Sequence, residues 1–174
     1  MLLNAFTLFH VALSLVGIAA GFVVVYGFLE SRRLDGWTLL FLTTTAATTV
    51  TGFLFPFHRF LPSYAVGIVS VIVLAIAIPA RYRFHLEGAW RSTYVVTAML
   101  AFYLNFFVLI AQLFGKVPPL KALAPTQTEP PFAITQVAVM VVFIILGTLA
   151  FRKFLVTPAV PGNARSRTAA GGKM

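Results

Sequence analysis

The chain has 174 residues, 60% of them hydrophobic and 10% charged, with a mean hydropathy of +0.95, a composition that a water-soluble domain of this length cannot hide from solvent. It contains no cysteine, which excludes disulfides, thiolate metal sites, CxxC redox chemistry and cysteine nucleophiles. Thirteen Lys and Arg against four acids give a formal charge of +9; in a polytopic membrane protein such an excess sets topology, and no nucleic-acid partner is expected.

The first apolar segment, Phe6 to Leu29, runs 24 residues, more than the roughly 20 a helix needs to cross the hydrocarbon core. "MLLNA" precedes it without Lys or Arg, so the segment is expected to be a retained span rather than a cleaved signal. Four more follow: Trp37 to Phe55, Tyr64 to Ala80, Ser92 to Phe114, and Ala133 to Phe151. Lipid leaves no partner for unpaired backbone groups, so segments of this length are expected to be helices. The fold class is all-α, a polytopic bundle of about five spans over residues 1–156. The third segment, interrupted by Pro79, is the shortest of the five.

Connections are short except for "GKVPPLKALAPTQTEPPF", Gly115 to Phe132, whose five prolines predict an ordered or extended surface cap without a regular helix. Residues 157–174 are small, polar and basic and are expected to form a disordered tail. No internal repeat is visible, and five spans fit poorly with an inverted-repeat transporter.

Positive residues retained in the cytoplasm set orientation. One side holds ten: Arg32, Arg33, Arg81, Arg83, Arg91, Arg152, Lys153, Arg165, Arg167 and Lys173. The other holds three, Arg59, Lys116 and Lys121. This predicts the N-terminus outside and the C-terminus inside. Trp37 and Trp90 fall at the cytoplasmic ends of their spans, and with Arg81, Arg83 and Arg91 are expected to anchor that face to lipid headgroups. His85 and Glu87 stand in the same turn.

On the first helix Thr7, His10, Ser14, Gly17 and Gly21 share a face, so His10 is expected to point along a small-residue seam. The fourth helix carries Thr97, Ala101, Asn105 and Gln112 on one face, and the second adds the run "TTTAATTVT" with Thr48 and Thr51 toward its outer end. By topology His10, His58, Arg59, Asn105, Gln112, Glu129 and Gln136 converge on the outer third of the protein. Strongly polar residues at membrane depth are a functional-site hypothesis by default. His10 and His58 could ligate a haem iron as an axial pair, a haem b site; either could hydrogen-bond a quinone in a Phe-lined slot; either could carry a proton. His10 could instead be a packing residue satisfied by Asn105 or a backbone carbonyl.

Sequence motifs of hydrolases (GxSxG, HExxH, a phosphate-cradling Gly-rich loop) are absent, and Glu129 is the single acid on the outer side. The reading that asks least is an accessory or structural membrane subunit working with a membrane-protein partner or as a homo-oligomer. A haem- or quinone-binding redox protein and an oligomeric transporter of small solutes or ions are the alternatives.

At "FPFHRF", "FHLEGAWRSTYVV" and "LAPTQTEPPF" the chain resembles a group of small, uncharacterised bacterial inner-membrane proteins that carry similar strings in similar order. The resemblance covers about Phe6 to Phe151 and implies a multi-pass protein of a bacterial inner membrane. It carries no activity and no catalytic residue with it; the strings coincide with His58, His85, Gln127 and Glu129.

Overall fold

The computed structural model describes residues 2–55 and 62–156, and every regular element among them is helical. In chain order these are α1 (Leu2–Leu29), α2 (Asp35–Gly52), α3 (Pro62–Tyr82), α4 (Ala89–Lys116), α5 (Pro118–Leu123) and α6 (Pro130–Val156). Four of them hold stretches long and apolar enough to cross a membrane: Asn4–Leu29, Tyr64–Tyr82, Ala89–Lys116 and Pro130–Leu155.

Two expectations change. The weak segment is α2 rather than the third: it is helical, but its 18 residues include seven threonines, and hydroxyls dilute its apolar content. Pro79, in contrast, leaves α3 whole. It lies three residues before the last helical residue, Tyr82, so only one backbone bond is lost, and the freed turn closes through Arg83 and Phe84 N–H donating to the Pro79 carbonyl at 2.9 Å. The proline-rich cap also contains the short helix α5, because Pro118 and Pro119 occupy its first positions, where no backbone N–H is needed. The disordered tail expected over 157–174 lies outside the described residues.

Each helix end has a local cause. After α1, Ser31 takes a left-handed conformation (φ 55°), Arg32 N–H donates to Gly27 O at 2.8 Å and Ser31 N–H to Phe28 O at 3.1 Å, the paired bonds of a Schellman end. A serine is tolerated there because its hydroxyl donates to Lys153 O of α6 at 2.9 Å. After α3, His85 and Leu86 both have positive φ (49° and 62°), and Leu86, 4% exposed, plugs into the core.

The helices form a ring in which α1 packs on α2, α2 on α3, α3 on α4 and α4 on α1, with α6 seated against α1 and α4 and α5 against α4. Lipid supplies no hydrophobic drive between helices, so close packing must hold the ring together. It is densest at the arginine-rich end, where α1, α3 and α6 finish and α2 and α4 begin. There Phe28, Phe41, Tyr94, Val95 and Phe154 are nearly sealed, and Phe28 meets Tyr94 and Phe154 edge-on at 5.7 and 5.1 Å. Midway, Phe102 makes edge contacts with Phe22, Phe41 and Phe143. Gly21 gives that ring its space: a Cβ there would stand 2.6 Å from two Phe102 carbons.

The expected anchoring residues divide. Trp37 and Trp90 are well exposed, as is Arg83. Trp90 stacks flat on Phe84, with centroids 3.9 Å apart. Arg81 turns inward, paired with Asp35 of α2 and lying over Tyr94, while the Arg91 guanidinium sits 4.7 Å from the Phe154 ring centre. These two arginines close the packed end of the bundle.

Candidate functional site, a polar-floored cavity

At the opposite end the ring is hollow. A cavity of ≈ 470 Å³ opens between α1, α2, α3 and α4, within the size range of small-molecule sites. Its walls are Val11 and Leu15 of α1, Val66 and Gly67 of α3, and Leu104, Val108 and Leu109 of α4, and Phe53 and Phe55 close the α2 side.

The floor is polar. Ser14 Oγ donates to Asn105 Oδ1 at 2.9 Å across the α1–α4 contact. Gly17 permits the approach: a Cβ at that position would lie 3.0 Å from Thr44 Oγ1 and 3.3 Å from both Asn105 Nδ2 and Thr45 Oγ1. Asn105 is 8% exposed, and its Nδ2 has no hydrogen-bond partner among the described residues. Ser70 of α3 completes the polar lining at 8% exposure.

Five of the seven threonines of α2 sort into two sets. Thr44, Thr49 and Thr51 return their hydroxyls to their own helix, donating to Leu40 O, Thr45 O and Ala47 O at 2.7, 2.9 and 2.7 Å. The hydroxyls of Thr45 and Thr48 are buried without a partner among the described residues, and both residues line the cavity. Helical threonines ordinarily satisfy themselves by bonding back one turn. These two hydroxyls and the Asn105 amide nitrogen are sealed from water behind the cavity surface, as is the Gln136 side-chain oxygen at the α4–α6 contact.

His10 stands nearer the mouth. Its Nδ1 is 2.8 Å from Thr51 Oγ1. Thr51 Oγ1 also lies 2.7 Å from Ala47 O; where its proton goes to that carbonyl, the imidazole donates through Nδ1, and otherwise it accepts. The ring is held edge-on to Phe55, centroids 5.2 Å apart. Beyond it Gln112 and Lys116 line the mouth, and Lys116 lies 11 residues from Asn105, about 16 Å along the helix axis. Among the described lining residues the titratable groups are His10, Tyr64 and Lys116, with no carboxylate.

Of the residues expected to converge, His10, Asn105 and Gln112 do meet in one cavity. Gln136 and Glu129 are not brought there. Gln136 is buried at the α4–α6 contact, donating to Phe107 O at 3.2 Å. Glu129 is engaged in its own loop, accepting from Thr126 Oγ1 at 2.8 Å and from the Thr126 and Thr128 N–H groups at 3.1 Å each. Desolvation acts upward on its carboxyl, but these bonds together hold it below the usual carboxylate range. Gln127, with positive φ (60°), ties the same cap to α4 by donating to Ala111 O at 2.8 Å. His58 and Arg59 lie outside the described residues.

Sequence reasoning passes over Thr45, Ser70 and Lys116. The α4 spacing 101, 105, 112, 116 continues the face that carries Asn105, so Lys116 was legible there. On α3, Gly67 and Ser70 form a short seam of small residues that reads only as packing. Comparison with protein-family models, with curated proteins and with solved structures finds no match for this chain.

Proposed function

We propose that this chain is an integral membrane protein whose α2 also crosses the bilayer, giving five spans with the N-terminus outside, and that the cavity holds a small amphipathic molecule in the outer half of the membrane. The single observation that carries the reading is the cavity itself, ≈ 470 Å³ with an apolar wall and a deep end lined by Ser14, Thr45, Thr48, Ser70 and Asn105.

The same floor argues against an acyl tail as the occupant. A lipid lodged by its headgroup at Lys116 would drive its alkyl end onto Asn105 and Thr45, where it satisfies nothing. An occupant with its polar end deep and its apolar body against Val11, Leu15, Leu104 and Val108 fits both regions. With His10, Tyr64 and Lys116 as the titratable groups of the described lining, the arrangement supports binding over a two-carboxylate mechanism.

The test is to purify the protein in mild detergent, extract it with organic solvent and identify what is released by mass spectrometry, alongside a visible spectrum before and after dithionite. One lipophilic compound released in stoichiometric amount by the wild type and lost from Asn105→Leu is the expected result. An extract indistinguishable between the two would leave a structural, accessory subunit as the better account. A Soret band lost in His10→Ala would identify the occupant as haem.

A further inference from the structure

The arginine-rich end carries more positive charge than the chain itself neutralises. Seven of the described Lys and Arg residues lie there against three of the four acids, Glu30, Asp35 and Glu87, while the fourth, Glu129, is engaged in the cap at the opposite end. Among the described residues Arg81 pairs with Asp35, whereas Arg32 and Arg33, both exposed, have no carboxylate within ion-pair distance.

The fold holds these two arginines in place. They follow the Schellman end of α1, where Ser31 Oγ donates to Lys153 O at 2.9 Å, so the α1–α2 turn is pinned to the last turns of α6. Phe154, next to Lys153, has the Arg91 guanidinium 4.7 Å from its ring centre, and it lines a small hollow together with Arg32, Arg33 and Arg81. Arg33 and Arg91 are close enough for their like charges to act on one another. Four arginines are thus gathered about the end of α6, at the level where the apolar stretches of α1, α3, α4 and α6 all stop. In a chain that crosses a bilayer this is the depth of the phospholipid headgroups.

We infer that the α1–α2 turn binds the phosphodiester of an anionic phospholipid, with Arg32 and Arg33 as its ligands and Arg91 beside them. The planar guanidinium fork matches the paired oxygens of a phosphodiester. The hollow measures ≈ 10 Å³, room for about one water, so a phosphate rests on the exposed turn and does not enter the bundle. At such an open site a free phosphate stays hydrated, whereas a lipid is already held at that depth by its acyl chains and meets the turn at high effective concentration. A zwitterionic headgroup brings its own cation, which the excess of positive charge repels. Arg81, already paired with Asp35, is not a ligand.

The experiment uses the full chain in phosphatidylcholine vesicles and reads its two tryptophans, Trp37 and Trp90, both exposed at this end. Phosphatidylglycerol brominated near the carbonyl end of its acyl chains is titrated into the bilayer, and identically brominated phosphatidylcholine measures the quenching due to bulk lipid. The expected result is saturable quenching by the anionic lipid in excess of that by the zwitterionic one. Arg32→Gln and Arg33→Gln should each lower the relative affinity of the anionic lipid about fivefold, the worth of one cation near a charged membrane surface. Arg83→Gln, equally exposed at the same end but outside the α1–α2 turn, should leave it unchanged. The replaced side chains are all exposed, and far-UV circular dichroism checks that each variant is folded.

Equal quenching by the two lipids overturns the inference, because it leaves no preference for negative charge. So does an equal loss in Arg33→Gln and Arg83→Gln, which reduces the site to the diffuse attraction of a basic face. Millimolar inorganic phosphate should leave the signal in place; displacement by it would assign the turn to a soluble phosphate and overturn the lipid as occupant. Neither arginine lines the large cavity, so the outcome is independent of whether that cavity holds a ligand.

Discussion

The hydroxyl of Ser14 donates to the side-chain oxygen of Asn105 at 2.9 Å, and that bond fixes which way the buried amide points. With Oδ1 held by Ser14, Nδ2 lies over Gly17 of the same helix, where the described residues offer it no acceptor. Ser14→Ala should release the amide to turn, at a cost of about 0.6 kcal/mol, the average worth of an interhelical polar bond in a membrane protein. Asn105→Leu should do the reverse for stability, raising the thermal midpoint of the empty protein by removing an unpaired buried group. Tryptophan-fluorescence melts in detergent read both, and a lower midpoint for Asn105→Leu would show that the amide is satisfied after all.

Close approach at the glycines of α1 gives a graded series. Gly21→Ala puts a methyl 2.6 Å from the sealed Phe102 ring and should cost about 1–3 kcal/mol as overpacking. Gly17→Ala, at 3.0 Å from Thr44 Oγ1, should cost less and narrow the cavity floor. As a control outside α1, Gly36→Ala in the first turn of α2 has nothing within 4 Å and should leave the midpoint unchanged. A flat response across all three would mean that α1 does not lie this close to α2 and α4.

The packed end should respond unequally to removal of its two ionic partners. The Asp35 side chain is 75% exposed and that of Arg81 10%, so Asp35→Asn should cost no more than about 1 kcal/mol, as exposed ion pairs do. Arg81→Ala removes a buried stem over Tyr94 as well and should cost more. Equal losses would assign all of the effect to the ion pair.

Glu129 makes the cap acid-sensitive. Its folded-state pKa is depressed by the bonds from Thr126 and Thr128, so its contribution is present above the ordinary carboxylate range and is lost as pH falls through the lowered folded value. Amide hydrogen exchange at Thr126 and Thr128 should speed up on acidification beyond the intrinsic pH trend. Glu129→Gln should remove that extra dependence, and an unchanged profile in the variant would exclude the carboxylate as its source.

Because the chain has no cysteine, single-cysteine variants map topology without background. Ala122→Cys and Leu54→Cys should react with a membrane-impermeant maleimide in intact cells, and Gly36→Cys and His85→Cys only after the membrane is opened. Gly36→Cys and Leu54→Cys labelling from one side would remove α2 as a span.

Much of this was legible in the sequence because lipid imposes one rule on every segment: apolar runs of about 20 residues become helices. The seam of Thr7, His10, Ser14, Gly17 and Gly21 was readable from its spacing, and the structure places Ser14 on Asn105 and Gly21 against Phe102. What spacing could not supply was neighbour order. His10 bonds to Thr51 rather than to Asn105, and Gln136 serves the α4–α6 contact, because these pairings depend on which helix lies beside which. Hydropathy also measures lipid contact and packing alike, so α4, buried on one face and carrying Trp90 and Lys116 at its ends, is longer than its apolar core from Ser92 to Phe114 suggests.

The threonine content of α2 bears finally on how the chain is made. A segment with seven hydroxyls partitions from an aqueous protein-conducting channel into lipid less readily than its neighbours, whereas α1 carries no charge between Asn4 and Leu29. Were α2 to cross the bilayer as proposed, its extensive packing on α1 and the return of its hydroxyls to the Leu40, Thr45 and Ala47 carbonyls would let the two enter as a hairpin. The polar face that forms part of the cavity wall would then make entry of the second helix dependent on the first.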